Sequence, residues 1–271
     1  MHIQFWGVRG SIAVSGPDTV QTGGNTPCVE LRSGGHRLVL DGGTGLQALG
    51  RSLGPGPVEM TLLFSHVHWD HIQGVPFFGP LFHPKSEICF LGANRDNGSL
   101  RDALRAQMRP PQFPITLDQF NAKLEFRDVV GPFDVGPFRV FPMDLQHPDG
   151  VLAYRIEVEG KSIVYATDVE HGDRIDERLV DLCRGADWVV HDAQYTRDEY
   201  MGKTSFSRRG WGHSSIEDAM ETADRAKAKQ LVLFHHDPMR TDIQLANLEG
   251  AAKVHFPNLC VAREGRAIEL L

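Results

Sequence analysis

Cysteine is scarce: the 271 residues contain four, Cys28, Cys89, Cys183 and Cys260, and no two make a CxxC pair. Such spacing offers no disulfide framework, and a chain this long can bury enough apolar surface to fold without one. The four are expected to be buried or idle thiols in a reducing cytosol. Long apolar runs are missing as well, none approaching the roughly 20 residues needed to span a bilayer. The first residues, MHIQFWGVRGS, carry neither a basic leader nor a long apolar core, so a cytoplasmic protein with no membrane partner is expected. Positive charge is in deficit. Lys and Arg number 28 against 35 Asp and Glu, a formal net charge of -7, which makes an extended nucleic acid an improbable partner because that affinity comes from many cationic contacts to phosphates. A small anion at a local positive centre remains compatible with this charge. There is also no long Ser- or Pro-rich linker, low-complexity tract or internal repeat, and the chain reads as one domain over 1–271.

What is present is a succession of short β-rich runs punctuated by Gly, Pro and Asp. They predict strands over 2–6, 26–33, 36–41, 58–65, 86–91, 137–146, 151–159, 161–167, 186–191 and 230–234. Helices are predicted over 98–109, 174–184, 214–228 and 240–253. The third has Ile216, Ala219, Met220, Ala223 and Ala226 at helical spacing, with Ser214 and Glu217 as a capping box. Strands dominate early and alternate with helices late, so layered α/β sheets with outer helices fit better than an all-β barrel. The segment 92–120 stands apart: Arg101, Arg105 and Arg109 precede Pro110-Pro111-Gln112-Phe113-Pro114, a helix ending in a rigid loop and a candidate lid.

The chemistry concentrates at His66-Val67-His68-Trp69-Asp70-His71. In extended backbone, side chains two apart point the same way, so His66 and His68 can grip one ion while Asp70 and His71, beyond a turn, reach a neighbouring one. Four ligand-type side chains at this spacing are hard to explain as packing. Four later apolar runs also end in a ligand or proton-transfer residue: His147, Asp168, Asp192 and His235. If the runs are strands, these residues lie at carboxyl ends, where open α/β sheets place their sites. Asp41, in LDGGTG, is read as a turn residue only.

The HxHxDH motif at 66–71, followed in order by a lone His, Asp and His, resembles the metallo-β-lactamase superfamily. The likeness implies a four-layer αβ/βα sandwich. It also implies that His66, His68 and His147 hold a first metal, that Asp70, His71 and His235 hold a second, and that Asp168 bridges them. Within the superfamily the ribonuclease Z and phosphodiesterase branch is closest, on HDAQY at 191–195 and GHS at 212–214. Imidazole-rich coordination suits zinc, with manganese or iron also compatible.

Two divalent ions, less Asp70, Asp168 and a bridging hydroxide, leave about one positive charge, which matches a singly charged phosphodiester. Alkoxide expulsion needs an acid. His213, before a helix and outside the ligand set, is the candidate, with Asp192 to orient it; the catalytic candidates are thus His213, Asp192 and Asp70. His171 could support a ligand or belong only to its turn, while His191 and His236 should face away from the site. The interval from Asp168 to His213 leaves no room for the long tRNA-gripping arm of ribonuclease Z, so a compact diester such as a cyclic nucleotide is the expected substrate. Arg109, Phe113, Arg208 and Arg209 are candidate contacts to it. A thioesterase or lactonase on the same scaffold, a ribonuclease Z-like nuclease, and a metal-retaining binding module are the alternatives, and a homodimer is left open.

Overall fold

The computed structural model describes residues 1–269, so the last two positions of the 1–271 range lie outside the described residues. Strands β1 (His2–Gly7), β2 (Cys28–Ser33), β3 (His36–Leu40), β4 (Glu59–Leu63) and β5 (Glu87–Gly92) come first. A short hairpin of β6 (Asn94–Arg95) and β7 (Gly98–Ser99) follows, then β8 (Lys123–Asp128), β9 (Phe133–Val135), β10 (Phe138–Leu145) and β11 (Val151–Val158). The last are β12 (Lys161–Ala166), β13 (Trp188–Asp192), β14 (Leu231–Phe234), β15 (Leu259–Val261) and β16 (Ala267–Glu269). Apart from the β6–β7 pair, they form two seven-stranded sheets, ordered β16-β1-β2-β3-β4-β5-β8 and β15-β14-β13-β12-β11-β10-β9.

Alternation decides how the sheets meet. Ile3, Phe5, Leu31 and Leu40 from the first sheet pack in one buried cluster with Val140, Tyr154, Ile163 and Phe234 from the second. Each outer face is covered by helices. Leu46 and Leu49 of the helix Gly45–Ser52 and Leu100 and Leu104 of the helix Leu100–Gln107 close the first. The helices Glu177–Cys183, Ile216–Ala226 and Asp242–Lys253 close the second. The result is the expected four-layer arrangement of helix, sheet, sheet and helix. No helix among the described residues is long and apolar enough to cross a membrane.

Several details differ from expectation. The helix Gly45–Ser52 and the strands β8, β15 and β16 were not predicted. β8 is an edge strand, KLEFRD, in which only Leu124 and Phe126 are apolar, both packing partly buried against the core. The helix Ile216–Ala226 is capped by Ser215 with Asp218, one residue later than predicted, because the Ser214 hydroxyl instead donates to the Val169 carbonyl. Either serine suits the local pattern, and a tertiary contact makes the choice.

One edge gathers the candidate ligands. β12, β13 and β14 run parallel, and β10 shares their direction because two antiparallel pairings, through β11, separate it from β12. Their carboxyl ends therefore deliver His147, Asp168, Asp192 and His235 to the rim reached by the turn after β4.

Candidate metal centre

After β4 the chain bends at Ser65, and His68 is extended (φ -61°, ψ 152°) before the one-turn helix Trp69–Ile72. His66 and His68 come from this connecting segment, Asp70 and His71 from the helix. The Nε2 of His66 is buried with no hydrogen-bond partner, while its Nδ1 lies 3.0 Å from the Ser65 hydroxyl. His147 donates Nδ1–H to the Gly212 carbonyl (2.7 Å), and its Nε2 faces His68 Nδ1 at 3.0 Å. Ligand atoms of His66, His68 and His147 all lie within 4.8 Å of one another.

Asp70, His71, Asp168 and His235 form a second group of the same tightness. His71 Nε2 is 3.4 Å from Asp70 Oδ2 and 3.3 Å from Asp168 Oδ1, and His235 Nε2 is 3.1 and 3.2 Å from the same atoms. The other oxygen of Asp168, Oδ2, faces the first group, 3.6 Å from His66 Nε2 and 3.8 Å from His147 Nε2. One carboxylate is thus divided between the two clusters. Asp41 and His235 adopt left-handed backbone, φ 61° and 57°, as does Asp168 at 53°, so each chain turns sharply at a strand end and aims its side chain inward.

The donor chemistry fits divalent cations. Burial lowers the His66 pKa well below the ordinary value, lowers that of His68, and takes His147 down to about 4. All three are thereby neutral, the form that binds metal. Burial works to raise Asp70 and Asp168, yet the neighbouring histidines, chiefly His71 and His235, hold both far below the usual carboxylate range. His71 is the exception: against burial, Asp168, Asp70 and Asp41 push its pKa well up. The proton they would retain stands where a cation would satisfy the same charges. Buried imidazole nitrogens and carboxylates converging without donors between them are costly unless a positive ion is shared.

Support for these side chains comes largely from residues the sequence reading missed. Asp41, expected to be a plain turn residue, is fully buried. It accepts from Ser65 N (2.7 Å), Ser65 Oγ (2.8 Å) and Tyr165 OH (2.8 Å), and receives His71 Nδ1–H at 2.8 Å. That bond fixes the tautomer and turns the Nε2 lone pair of His71 inward. Gln194 Oε1 does the same for His235 Nδ1 at 3.0 Å. The Ser11 backbone donates to Asp70 Oδ2 at 2.7 Å, and a Cβ at Gly10 would lie 2.5 Å from the His235 ring, so the VRGS segment is shaped around the centre. The available signals were an Asp ending an apolar strand before two glycines, and a Gln beside the HDA motif.

His213 donates Nδ1–H to Asp192 Oδ2 at 2.9 Å, and Asp192 Oδ1 accepts from Gln194 N at 3.0 Å. The ring stacks at 5.0 Å from that of His235 and stands edge-on to that of His147 at 5.4 Å. Burial alone would depress it, but Asp192, then Asp168 and Asp70, push its pKa up to about 9. A third potential ligand group, Asp168, Asp192, His213 and His235, overlaps the second. Glu170, also missed, accepts from Gly210 N and Gly212 N (2.7 and 2.8 Å) and fixes the loop that carries His213.

Other candidates lie elsewhere. His171 pairs with His191 at 3.4 Å and accepts from Asp176 N, so it supports no ligand. His236 bonds the Ala262 carbonyl. Arg209 pairs with Asp173, while Arg208 bonds Glu199 O, Ser205 and Phe206 O and lies over the Tyr195 ring. Arg209 is thus held by a carboxylate from the segment after β12, and Arg208 by groups of its own loop and of the helical turn before it. Within the expected lid, Arg101 and Arg105 face Asp118, and Arg109 and Phe113 line a groove beside Trp69.

A family model described as the beta-lactamase superfamily domain matches residues 36–236, a span containing both histidine clusters. Ribonuclease Z of Pyrococcus horikoshii is 23% identical over 260 residues, covering 79% of this chain and 81% of its own. Among solved structures, a diphosphatase of the PhnP family superposes with a TM-score of 0.72 at 17% identity, covering 100% of this chain and 98% of that one. Human tRNase Z, short form, gives 0.67 at 20% identity with 100% of both chains covered. These two likenesses are of fold.

Proposed function

We infer that this chain, which belongs to the beta-lactamase superfamily and is a metal-dependent hydrolase, cleaves a compact phosphodiester such as a cyclic nucleotide. His66, His68 and His147 would hold one divalent ion and Asp70, His71 and His235 a second, with Asp168 shared; zinc suits so imidazole-rich a set. When bound, the ions would supply Lewis-acid stabilisation of charge on the phosphoryl oxygens and a water acidic enough to attack near neutral pH. The chain's own residues supply the rest. His213, held by Asp192 through Nδ1, keeps Nε2 for the leaving oxygen, and Asp192 is its positioning residue. Asp70 and Asp168, kept ionised, orient the reacting centre.

The observation that carries the diester reading is the His213–Asp192 pair, a buried imidazole held by a carboxylate beside the clusters. An alkoxide needs such an acid, whereas a thiolate leaves with little help. Asp41 and Asp192 add two further buried carboxylates to the charge balance around the centre. Likeness to ribonuclease Z over most of the chain favours RNA as the second reading. Against it, Asp168 to His213 is filled by the helix Glu177–Cys183, β13 and the helix Arg197–Tyr200, leaving no long arm. Because both sheets share one core, we assign the chain to a single domain.

A panel of cyclic mononucleotides, cyclic dinucleotides, short RNA, a thioester and a lactone, assayed with zinc and with manganese, tests the assignment. Turnover should be greatest on a cyclic nucleotide. Preference for the thioester or lactone would sink the diester reading, and preference for RNA would move the chain to the second one.

Asp41 provides a separate check. Asp41→Ala should weaken metal retention against a chelator by about 10–100-fold, the usual loss when a residue orienting a metal-bound histidine is removed. The circular dichroism spectrum of the loaded protein should be retained. Unchanged retention would reduce Asp41 to a turn.

A further inference from the structure

Beside the cluster, the helix Trp69–Ile72 and the helix Leu100–Gln107 face each other across a groove of about 870 Å³. Its walls are of three chemical kinds. Trp69, 76% exposed although it lies between His68 and Asp70, and Phe77, 55% exposed, present aromatic surface. Phe113 stands edge-on to Phe77 at 5.6 Å. Ala103 and Ala106 leave space opposite them. Gln47, Gln73 and Gln112 add side-chain amides with no hydrogen-bond partner among the described residues, while Gln107 donates to the Ile72 carbonyl at 3.0 Å and ties the two helices together. Arg109 lines the same groove and, unlike Arg101 and Arg105, has no acidic partner among the described residues.

We propose that this groove binds the nucleobase of the substrate, which stacks on Trp69 and Phe113 while the glutamine amides meet its edge. An acyl chain would use the apolar walls but neither the amides nor the cation. A nucleobase uses all of them: two π-faces, adjacent donors and acceptors that a carboxamide matches, and a ring face or acceptor edge for the Arg109 guanidinium. Val67 lines both this groove and the smaller cavity that contains His66 and His68, so a base held in the groove lies next to the first cluster. The inference rests on the diester reading for what lies at the metal centre, but not for what lies in the groove.

Titration of the metal-loaded full chain with adenosine and guanosine, followed by tryptophan fluorescence and calorimetry, tests the groove without any turnover. Both nucleosides should quench emission. Trp69→Leu should abolish the quenching, and Phe113→Ala, on a separate element from the ligands, should weaken binding about tenfold, as expected for one lost stacking contact. In kinetics, Phe113→Ala and Arg109→Ala should raise KM for 2′,3′-cyclic AMP about tenfold more than KM for methyl p-nitrophenyl phosphate, which has no base. Nucleoside binding without turnover of any diester would support the groove and sink the diester reading. Diester turnover without nucleoside binding, or binding of octanoate in place of nucleosides, would overturn the groove.

Discussion

His213→Ala should keep its metal and lose roughly 10²–10⁴-fold in turnover of an ordinary alkyl phosphodiester, the usual contribution of a positioned general acid. The bond from Nδ1 to Asp192 leaves Nε2 as the only nitrogen able to donate to a leaving oxygen. A p-nitrophenolate leaves without that proton, so bis(p-nitrophenyl) phosphate should show a far smaller loss. Asp192→Asn should give a milder version of the same dependence on leaving group, and the double variant should be little worse than His213→Ala because the two act as a unit. A purely structural role would lower both substrates alike. Equal losses would therefore remove the acid assignment, and loss of metal from His213→Ala would make it a ligand through the overlapping third group.

Asp168→Ala should abolish most activity and leave fewer than two ions per chain in elemental analysis, because its two oxygens serve both clusters. His66→Ala and His235→Ala should each impair one cluster first. Stability offers an independent readout. Each ion bound at 100 times its Kd adds about 2.7 kcal/mol to the folded state, and each kcal/mol moves Tm by roughly 2–4 °C in a chain of this order of size. Chelation should therefore lower Tm of the wild type by several degrees and that of Asp168→Ala by much less. Wild-type protein that reproducibly holds one ion, or Asp168→Ala with unchanged activity, would end the shared-carboxylate model.

Most of the fold was legible because its elements announce themselves locally. The HxHxDH segment follows an apolar strand, and His147, Asp168 and His235 follow others, so strand ends pointed to the candidate ligands, while the resemblance to the metallo-β-lactamase superfamily implied their division into two clusters. What escaped had weak local marks. β8 offers only two apolar positions, Leu124 and Phe126, and β15 and β16, of three residues each, are too short for a pattern. The cap of Ile216–Ala226 moved by one residue because two adjacent serines satisfy the same rule.

The sequence by itself determined which side chains are present to bind metal, and in what order, because donor chemistry belongs to the residue and strand geometry carries it to the end of a run. Only the tertiary structure decided how those side chains are held. Asp41 meets His71 across 30 positions and Tyr165 across 124, and Gln194 meets His235 across 41. The groove beside Trp69 likewise joins a ligand turn to a helix and loop some distance along the chain. No local pattern encodes such pairings, since a buried carboxylate and a turn carboxylate are the same residue until packing removes the water around one of them.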